Sequence, residues 1–370
     1  MPPKAYSLHF RWIFSLNSLI NSPLSINAAY NYPIYRSLST KEDRVFSGIQ
    51  PTGTLHIGNY FGAVKKWVEL QESSDSVLYS IVDLHSITLP QDPQVLKKNI
   101  LEVTASLLSC GISPEKSILF QQSMVPQHTE LSWVLGCMTT MARLGHLPQY
   151  KEKSASLKEI PLGLFIYPVL QSADILIYKA NKVPVGEDQL QHLQLAQHLA
   201  NLFNKRFGKF FPHPKALISD GSSARVKSLR NPTKKMSKSD VDPKSRIELA
   251  DTDDQIVNKV KKALTDFTSE VTWDPEGRPG VANIIAIHSA MTGKDPERIV
   301  EEAVGLETAQ YKLVAAEAIC EGIRPIRTKI NELLKEPQYL HQVLADGAEK
   351  ASNIAAITWD GVRKLVGLSH

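Results

Sequence analysis

The rhythm of apolar and polar residues changes several times along this chain, and the changes mark out elements. Residues 44–50 (Arg-Val-Phe-Ser-Gly-Ile-Gln) alternate with the period of a strand, and Pro51, Thr52 and Gly53 break it. A helix is expected to begin near His56 and to carry Val64, Trp67, Val68 and Glu69. Val77–Val82 is a continuous run suited to a strand of a parallel sheet covered on both faces. Leu96, Ile100, Val103 and Leu107 then recur at helical spacing until Gly111, and Ser117–Gln122 reads as a third strand. Strand and helix in this alternation predict a doubly wound α/β domain with a parallel sheet.

Further on, Lys182–Val185 reads as another strand, feeding a Gly186-Glu187-Asp188 turn. Leu190, Leu193, Ala196, Ala200 and Phe203 mark one helical face, which Gly208 ends. Beyond Ser239 no strand alternation returns. Thr252-Asp253-Asp254-Gln255 is a capping box. Residues 281–291, 295–304, 307–335 and 338–366 read as helices, the third interrupted before Pro325. The expected organisation is a leader over 1–43, an α/β domain over 44–240 and an α-helical domain over 241–370.

Charge changes this picture only at the start. Residues 1–41 hold Lys4, Arg11, Arg36 and Lys41 and no acid, so the net +4 belongs to them and the remainder balances at 38 basic and 38 acidic residues. Bulk charge therefore gives no sign of nucleic-acid binding, and any phosphate-binding surface must be local. Seven serines and an amphipathic apolar stretch, Leu8 to Ile20, make the leader look like an organellar transit peptide. The mitochondrial matrix is the expected destination, with the plastid as the alternative. No segment is apolar for long enough to suggest a membrane span. Cys110, Cys137 and Cys320 form neither a disulfide framework nor a C-x-x-C zinc pair, so no zinc or iron–sulfur site is expected.

Two short runs carry the candidate chemistry. His56-Ile57-Gly58-Asn59 places an imidazole, a glycine and an amide at a strand-to-helix transition, where free N–H groups favour an anion. Lys235-Met236-Ser237-Lys238-Ser239 places two ammoniums and two hydroxyls on what should be a loop. In this order they resemble the two signatures of the class I aminoacyl-tRNA synthetases. Phe46-Ser47-Gly48-Ile49-Gln50-Pro51-Thr52-Gly53 and Val183-Pro184-Val185-Gly186-Glu187-Asp188-Gln189 narrow the resemblance to the tryptophan branch, from about Arg44 to the C-terminus. It implies a Rossmann-like catalytic domain, ATP with Mg²⁺ as substrate, tryptophan and tRNA(Trp) as partners, and a homodimer. The apolar segment Leu131 to Leu147 is a candidate contact between protomers.

The resemblance also distributes roles. His56, Asn59, Lys235 and Lys238 become the catalytic group. ATP is expected on Gln50, Pro51, Thr52, Gly58, Asn59, Gly186, Glu187, Asp188, Val226, Lys235, Met236, Ser237, Lys238 and Ser239. Tryptophan is expected on Asp174, Phe46, His85, Tyr167, Gln171 and Gln189. Asp174 sits among apolar residues, where a carboxylate needs a donor, and an indole N–H is a donor only. Two positions depart from the common pattern: Asn59 replaces a second histidine, and Gln171 stands where bacterial relatives often have methionine. His128, His146, His192 and His198 have no metal-like partner acids nearby and read as ordinary polar residues. The rival readings are the tyrosine enzyme of the same fold, whose turn is usually Gly-Gly-Ser-Asp-Gln, and a catalytically silent RNA-binding relative.

Overall fold

The structure is a computed structural model that describes residues 43–147, 158–218 and 226–369; residues 1–42 of the leader read as a transit peptide lie outside them. Five parallel strands form one sheet: β1 (Arg44–Ile49), β2 (Ser76–Ile81), β3 (Ile118–Gln121), β4 (Lys182–Pro184) and β5 (Lys215–Leu217). Their spatial order is β3-β2-β1-β4-β5, so the winding reverses at β1. β1 and β2 stay in register along their length, from Arg44 opposite Ser76 to Ile49 opposite Ile81. Strand β5 has no counterpart among the sequence expectations. Its three residues, at the sheet edge, are too few to show alternation.

Side chains on one strand alternate between the two faces of the sheet, and two apolar cores follow. Val45, Val77, Tyr79 and Ile81 face one, together with Ile57, Val103, Ile284 and Ile319. Phe46, Leu78 and Phe120 face the other, with Leu131, Val169, Leu199 and Ala351. The segment after β1 enters a helix in three steps, α1 (Ile57–Asn59), a π-helical turn (Tyr60–Val64) and α2 (Lys65–Ser73). Trp67 of α2 stacks on Tyr79 of β2 at 4.6 Å, and the Tyr79 hydroxyl donates to the Trp67 carbonyl at 2.7 Å. These contacts fix the helix against the sheet.

The short α3 (Asp83–Ser86) follows β2, and α4 (Pro93–Ser109) leads to β3. Asp92 caps α4, its carboxylate accepting from the N–H groups of Gln94 and Val95. Between β3 and β4 lie α5 (Gln127–Gly136), α6 (Met141–Gly145) and α7 (Leu162–Leu176), and α8 (Leu190–Phe207) connects β4 to β5. Gly208, at φ 94°, ends α8 in a conformation that a side chain would oppose.

The C-terminal region is helical as expected: α9 (Asp253–Lys261), α10 (Pro279–Thr292), α11 (Pro296–Glu302), α12 (Thr308–Leu333) and α13 (Pro337–Val366). Thr252 and Gln255 form the capping box that opens α9. The expected break before Pro325 does not occur, because α12 runs through it. Pro325 and Glu321, four residues before it, are both exposed, and buried Ile319, Ile323 and Ile330 hold the helix on either side. α13 lies directly on β3: a Cβ on Gly347 would overlap the Leu119 carbonyl oxygen.

Candidate active site

Ligands of such sheets sit where the winding reverses, beyond the carboxyl ends of the strands. β1 and β4 pair at Val45 and Lys182, and further along the Ser47 hydroxyl donates to the Pro184 carbonyl at 3.1 Å. Past this point a cleft of about 880 Å³ opens, with Gly48 and Gln50 on one wall and Gly186 and Asp188 on the other. Its lining includes Phe46, His85, Tyr167, Gln171, Asp174 and Gln189 at one end, and Thr52, Asn59 and Lys235 at the other. The two motif regions, far apart in the chain, therefore border one cavity.

His56 is buried and caps α1: its Nδ1 accepts from the Asn59 N–H, and the Asn59 side-chain carbonyl accepts from the His56 N–H, both at 3.2 Å. Asn59 lines the cleft and His56 stands behind it. Burial, with Lys238 and Arg246 close by, pulls the imidazole down to about 4, so the ring is neutral at pH 7. Gly58 makes room for it. A Cβ there would come within 2.9 Å of the His56 ring and 3.4 Å of Met236, so the space over Gly58 belongs to the first motif's histidine and the second motif's methionine.

Backbone bonds join the two motif regions. Ile57 N–H donates to Ile247 O at 3.0 Å, and Leu249 N–H to Leu55 O at 2.7 Å. Ser228 N–H donates to Lys234 O, and Met236 N–H to the carbonyl of buried Val226, which pins the base of the Lys235 loop. Met236 is buried and anchors the loop from inside, while Lys235 is exposed along the cleft. Lys238 turns elsewhere: its Nζ donates to Thr54 O at 2.6 Å. Burial lowers its pKa, against the pull of Glu248 and Glu102. Ser237 and Ser239 bond each other through their hydroxyls at 2.8 Å. Lys66, Lys227 and Thr233 also line the cleft, which sequence reasoning missed because each sits outside a recognisable motif.

On the opposite wall Gly186 O accepts from Gln189 N–H at 3.0 Å, closing the Glu187–Gln189 3₁₀ turn that leads into α8. A Cβ on Gly186 would meet Asp188 Oδ1 at 2.6 Å. Gln189 accepts from Gln171 Nε2 at 3.3 Å and donates to Asp188 Oδ2 at 2.7 Å. Pro51 is buried under the β1 exit, where Thr52 N–H donates to Gln50 O at 2.9 Å.

Asp174, on α7, is 1% exposed and already has three donors. His85 Nε2 lies 2.7 Å from Oδ2; Gln122 Nε2 and His128 Nδ1 lie 2.7 and 2.6 Å from Oδ1. Burial would raise the carboxyl, but His85 and the His128 bond outweigh it and hold Asp174 well below the usual carboxylate range. His128 is therefore not an ordinary polar residue, which corrects the reading made from the chain alone. Tyr167 is paired with His192, 3.1 Å from hydroxyl to Nε2, and Phe46 stacks on Tyr178 at 5.6 Å. Among the described residues no three His, Cys, Asp or Glu side chains are grouped to hold a metal ion. No helix among them is long and apolar enough to cross a membrane.

Known proteins are similar to this chain in sequence and fold. A family described as tRNA synthetases class I (W and Y) matches residues 38–321. The tryptophan–tRNA ligase of Caldanaerobacter subterraneus subsp. tengcongensis is 44% identical over 325 residues, 88% of this chain and 98% of that protein. The mitochondrial tryptophan–tRNA ligase of Caenorhabditis elegans is 44% identical over 338 residues, 90% of this chain and 93% of that one. Among solved structures, the tryptophanyl-tRNA synthetase from Campylobacter jejuni complexed with ADP and tryptophan superposes with a TM-score of 0.79. It is 34% identical and covers 88% of this chain and 99% of its own.

Proposed function

The chain belongs to the class I tRNA synthetases for tryptophan and tyrosine, and we propose that it ligates L-tryptophan to tRNA(Trp) through a tryptophanyl-adenylate. The tryptophan carboxylate would attack the α-phosphorus of ATP and expel pyrophosphate. The 2′-hydroxyl of the terminal tRNA adenosine would then take the acyl group and release AMP. The observation that carries this reading is the cleft itself, with a buried, hydrogen-bonded carboxylate at one end and an exposed lysine beside a helix start at the other. The relatives named above are tryptophan–tRNA ligases, and the Gly186-Glu187-Asp188-Gln189 turn follows the tryptophan form.

In this reading ATP lies between β1 and β4. Gln50, Thr52 and Asn59 would contact it from one wall and Gly186 and Asp188 from the other; Pro51, Gly58 and Val226, outside the lining, would support them, and Glu187 would belong to the same turn as Asp188. Neutral His56 holds Asn59 and the first helical turn in place. Lys235, with Lys238 once it leaves Thr54 O, would meet the departing pyrophosphate, with Met236, Ser237 and Ser239 shaping the loop. Aligning the reactants supplies about 7–11 kcal/mol, and each well-placed donor about 3 more. Mg²⁺ would arrive on the phosphates of ATP. Phe46, His85, Tyr167, Gln171, Asp174 and Gln189 would enclose tryptophan.

The wider assignment has three parts. Residues 1–43 would direct import into mitochondria, consistent with the composition of the leader and with the mitochondrial relative. Residues 44–240 would do the chemistry and the helices of 241–370 would contact tRNA. A second copy would pack on Trp133, Met141 and Leu162, which are 75%, 77% and 69% exposed on α5, α6 and α7. ATP–pyrophosphate exchange tests the activity: tryptophan should drive it and tyrosine should not, and the reverse would overturn the reading. Uptake of a reporter carrying residues 1–43 by isolated mitochondria tests the address; a reporter left outside contradicts it.

A further inference from the structure

The three donors to Asp174 are shared unevenly between its oxygens. Oδ1 accepts from Gln122 and His128, and Oδ2 from His85. A carboxylate oxygen has about two acceptor sites, so Oδ1 is filled and Oδ2 keeps one open. Asp174 and His85 line the cleft, whereas Gln122 and His128 are wholly buried and are not among the lining. The open acceptor thus belongs to the oxygen on the cleft side.

Each buried donor is itself fixed. Leu84 N–H donates to Gln122 Oε1 at 3.1 Å, which turns the amide nitrogen of Gln122 toward Asp174. The Tyr178 hydroxyl lies 2.7 Å from His128 Nε2. The ionised Asp174 can only accept, so His128 Nδ1 donates to it, and the Tyr178 phenol, kept protonated by burial and by the charge of Asp174, donates to the neutral ring's Nε2. The proton on His128 then sits on Nδ1, facing Asp174, a tautomer assigned from the pattern of partners. An Asp side chain otherwise turns broadly about its last torsion. Here it cannot turn without breaking three buried hydrogen bonds.

We propose that His128 and Gln122, backed by Tyr178, are positioning residues that lock Asp174 with a single acceptor facing the cleft, so that the site selects an amino acid whose ring carries an N–H donor. The lock rests on the tryptophan reading above and adds to it the residues that set the selection. None of the three need touch the substrate. Each acts through Asp174.

The test compares L-tryptophan with β-(3-benzothienyl)alanine, in which sulfur replaces the indole N–H, in ATP–pyrophosphate exchange by the full chain. Wild type should prefer tryptophan by about 10²-fold or more in kcat/KM. His128→Leu should lower kcat/KM for tryptophan by about 10–100-fold, chiefly through KM, and move the analogue by less than about twofold. His128→Asn, whose amide can stand where Nδ1 stands, should restore most of the preference. His128→Leu combined with Tyr178→Phe removes the hydroxyl that the single change would strand, and should show the same collapsed preference.

If wild type exchanges with neither compound, the tryptophan reading fails and the lock with it. If tryptophan drives exchange but wild type uses the analogue equally well, the reading stands and the lock is overturned. Equal losses for both compounds in His128→Leu, or no loss for either, overturn it as well.

Discussion

At the Asp174 end of the cleft, the carboxylate, His85, Gln122, His128 and Tyr178 are each at most 7% exposed and bonded to one another. At the Lys235 end the ammonium is exposed, Lys238 is bonded to the Thr54 carbonyl, and Ser237 and Ser239 bond each other. The first arrangement is set before any substrate arrives, because its groups are buried and hold one another by hydrogen bonds. The second is made of long side chains that can change partners at little cost. Recognition of an amino acid gains from the first kind of site, and handling a leaving pyrophosphate gains from the second.

This contrast predicts that the two ends fail differently. Asp174→Ala strands two buried imidazoles and an amide and should cost about 3–5 kcal/mol of stability in urea unfolding. A loss under about 1 kcal/mol would show that the cluster is not the rigid element claimed. Lys235→Ala should leave stability within about 0.5 kcal/mol of wild type. It should slow adenylate formation by about 10²–10³-fold while tryptophan binding stays within about twofold. Equal losses in rate and tryptophan affinity would remove the distinction between the ends.

The imidazole behind the cleft supplies a pH test. The unfolded chain takes up a proton at His56 near pH 6.5, but the folded site does so only near 4. Acidification through that window therefore favours unfolding, and stability rises as pH returns above it, by roughly 2–4 kcal/mol from this one residue. His56→Asn should flatten that part of the stability–pH curve; an unchanged curve would mean the ring is not held neutral. A smaller effect is expected from Gly58→Ala. Its methyl would press on the His56 ring and Met236 and cost about 1–3 kcal/mol, read as a lower urea midpoint with exchange activity reduced.

How much of this could be read in the chain depended on how local each feature was. Strands β1 to β4, the helix starting at His56 and the capping box at Thr252 were legible because their signals lie within a few neighbouring residues. β5, three residues long, gave no periodic signal, and helix α12 passes Pro325 because tertiary packing on both sides outweighs a local rule. The cleft walls followed from motif order. The partners of Asp174 did not, since Gln122, His128 and His85 lie 52, 46 and 89 residues away. Only the fold brings them to one carboxylate, which is why His128 looked unremarkable in the sequence. The parking of Lys238 on Thr54 O, 184 residues distant, was hidden for the same reason.

The most direct measurement is a crystal structure with tryptophan and a non-hydrolysable ATP analogue bound together. The account predicts the indole nitrogen within about 3.2 Å of Asp174 Oδ2, and the β- and γ-phosphates within reach of Lys235 and a Lys238 released from Thr54. An analogue bound away from the Asn59 and Lys235 ends of this cleft, or an indole turned from Asp174, would contradict it.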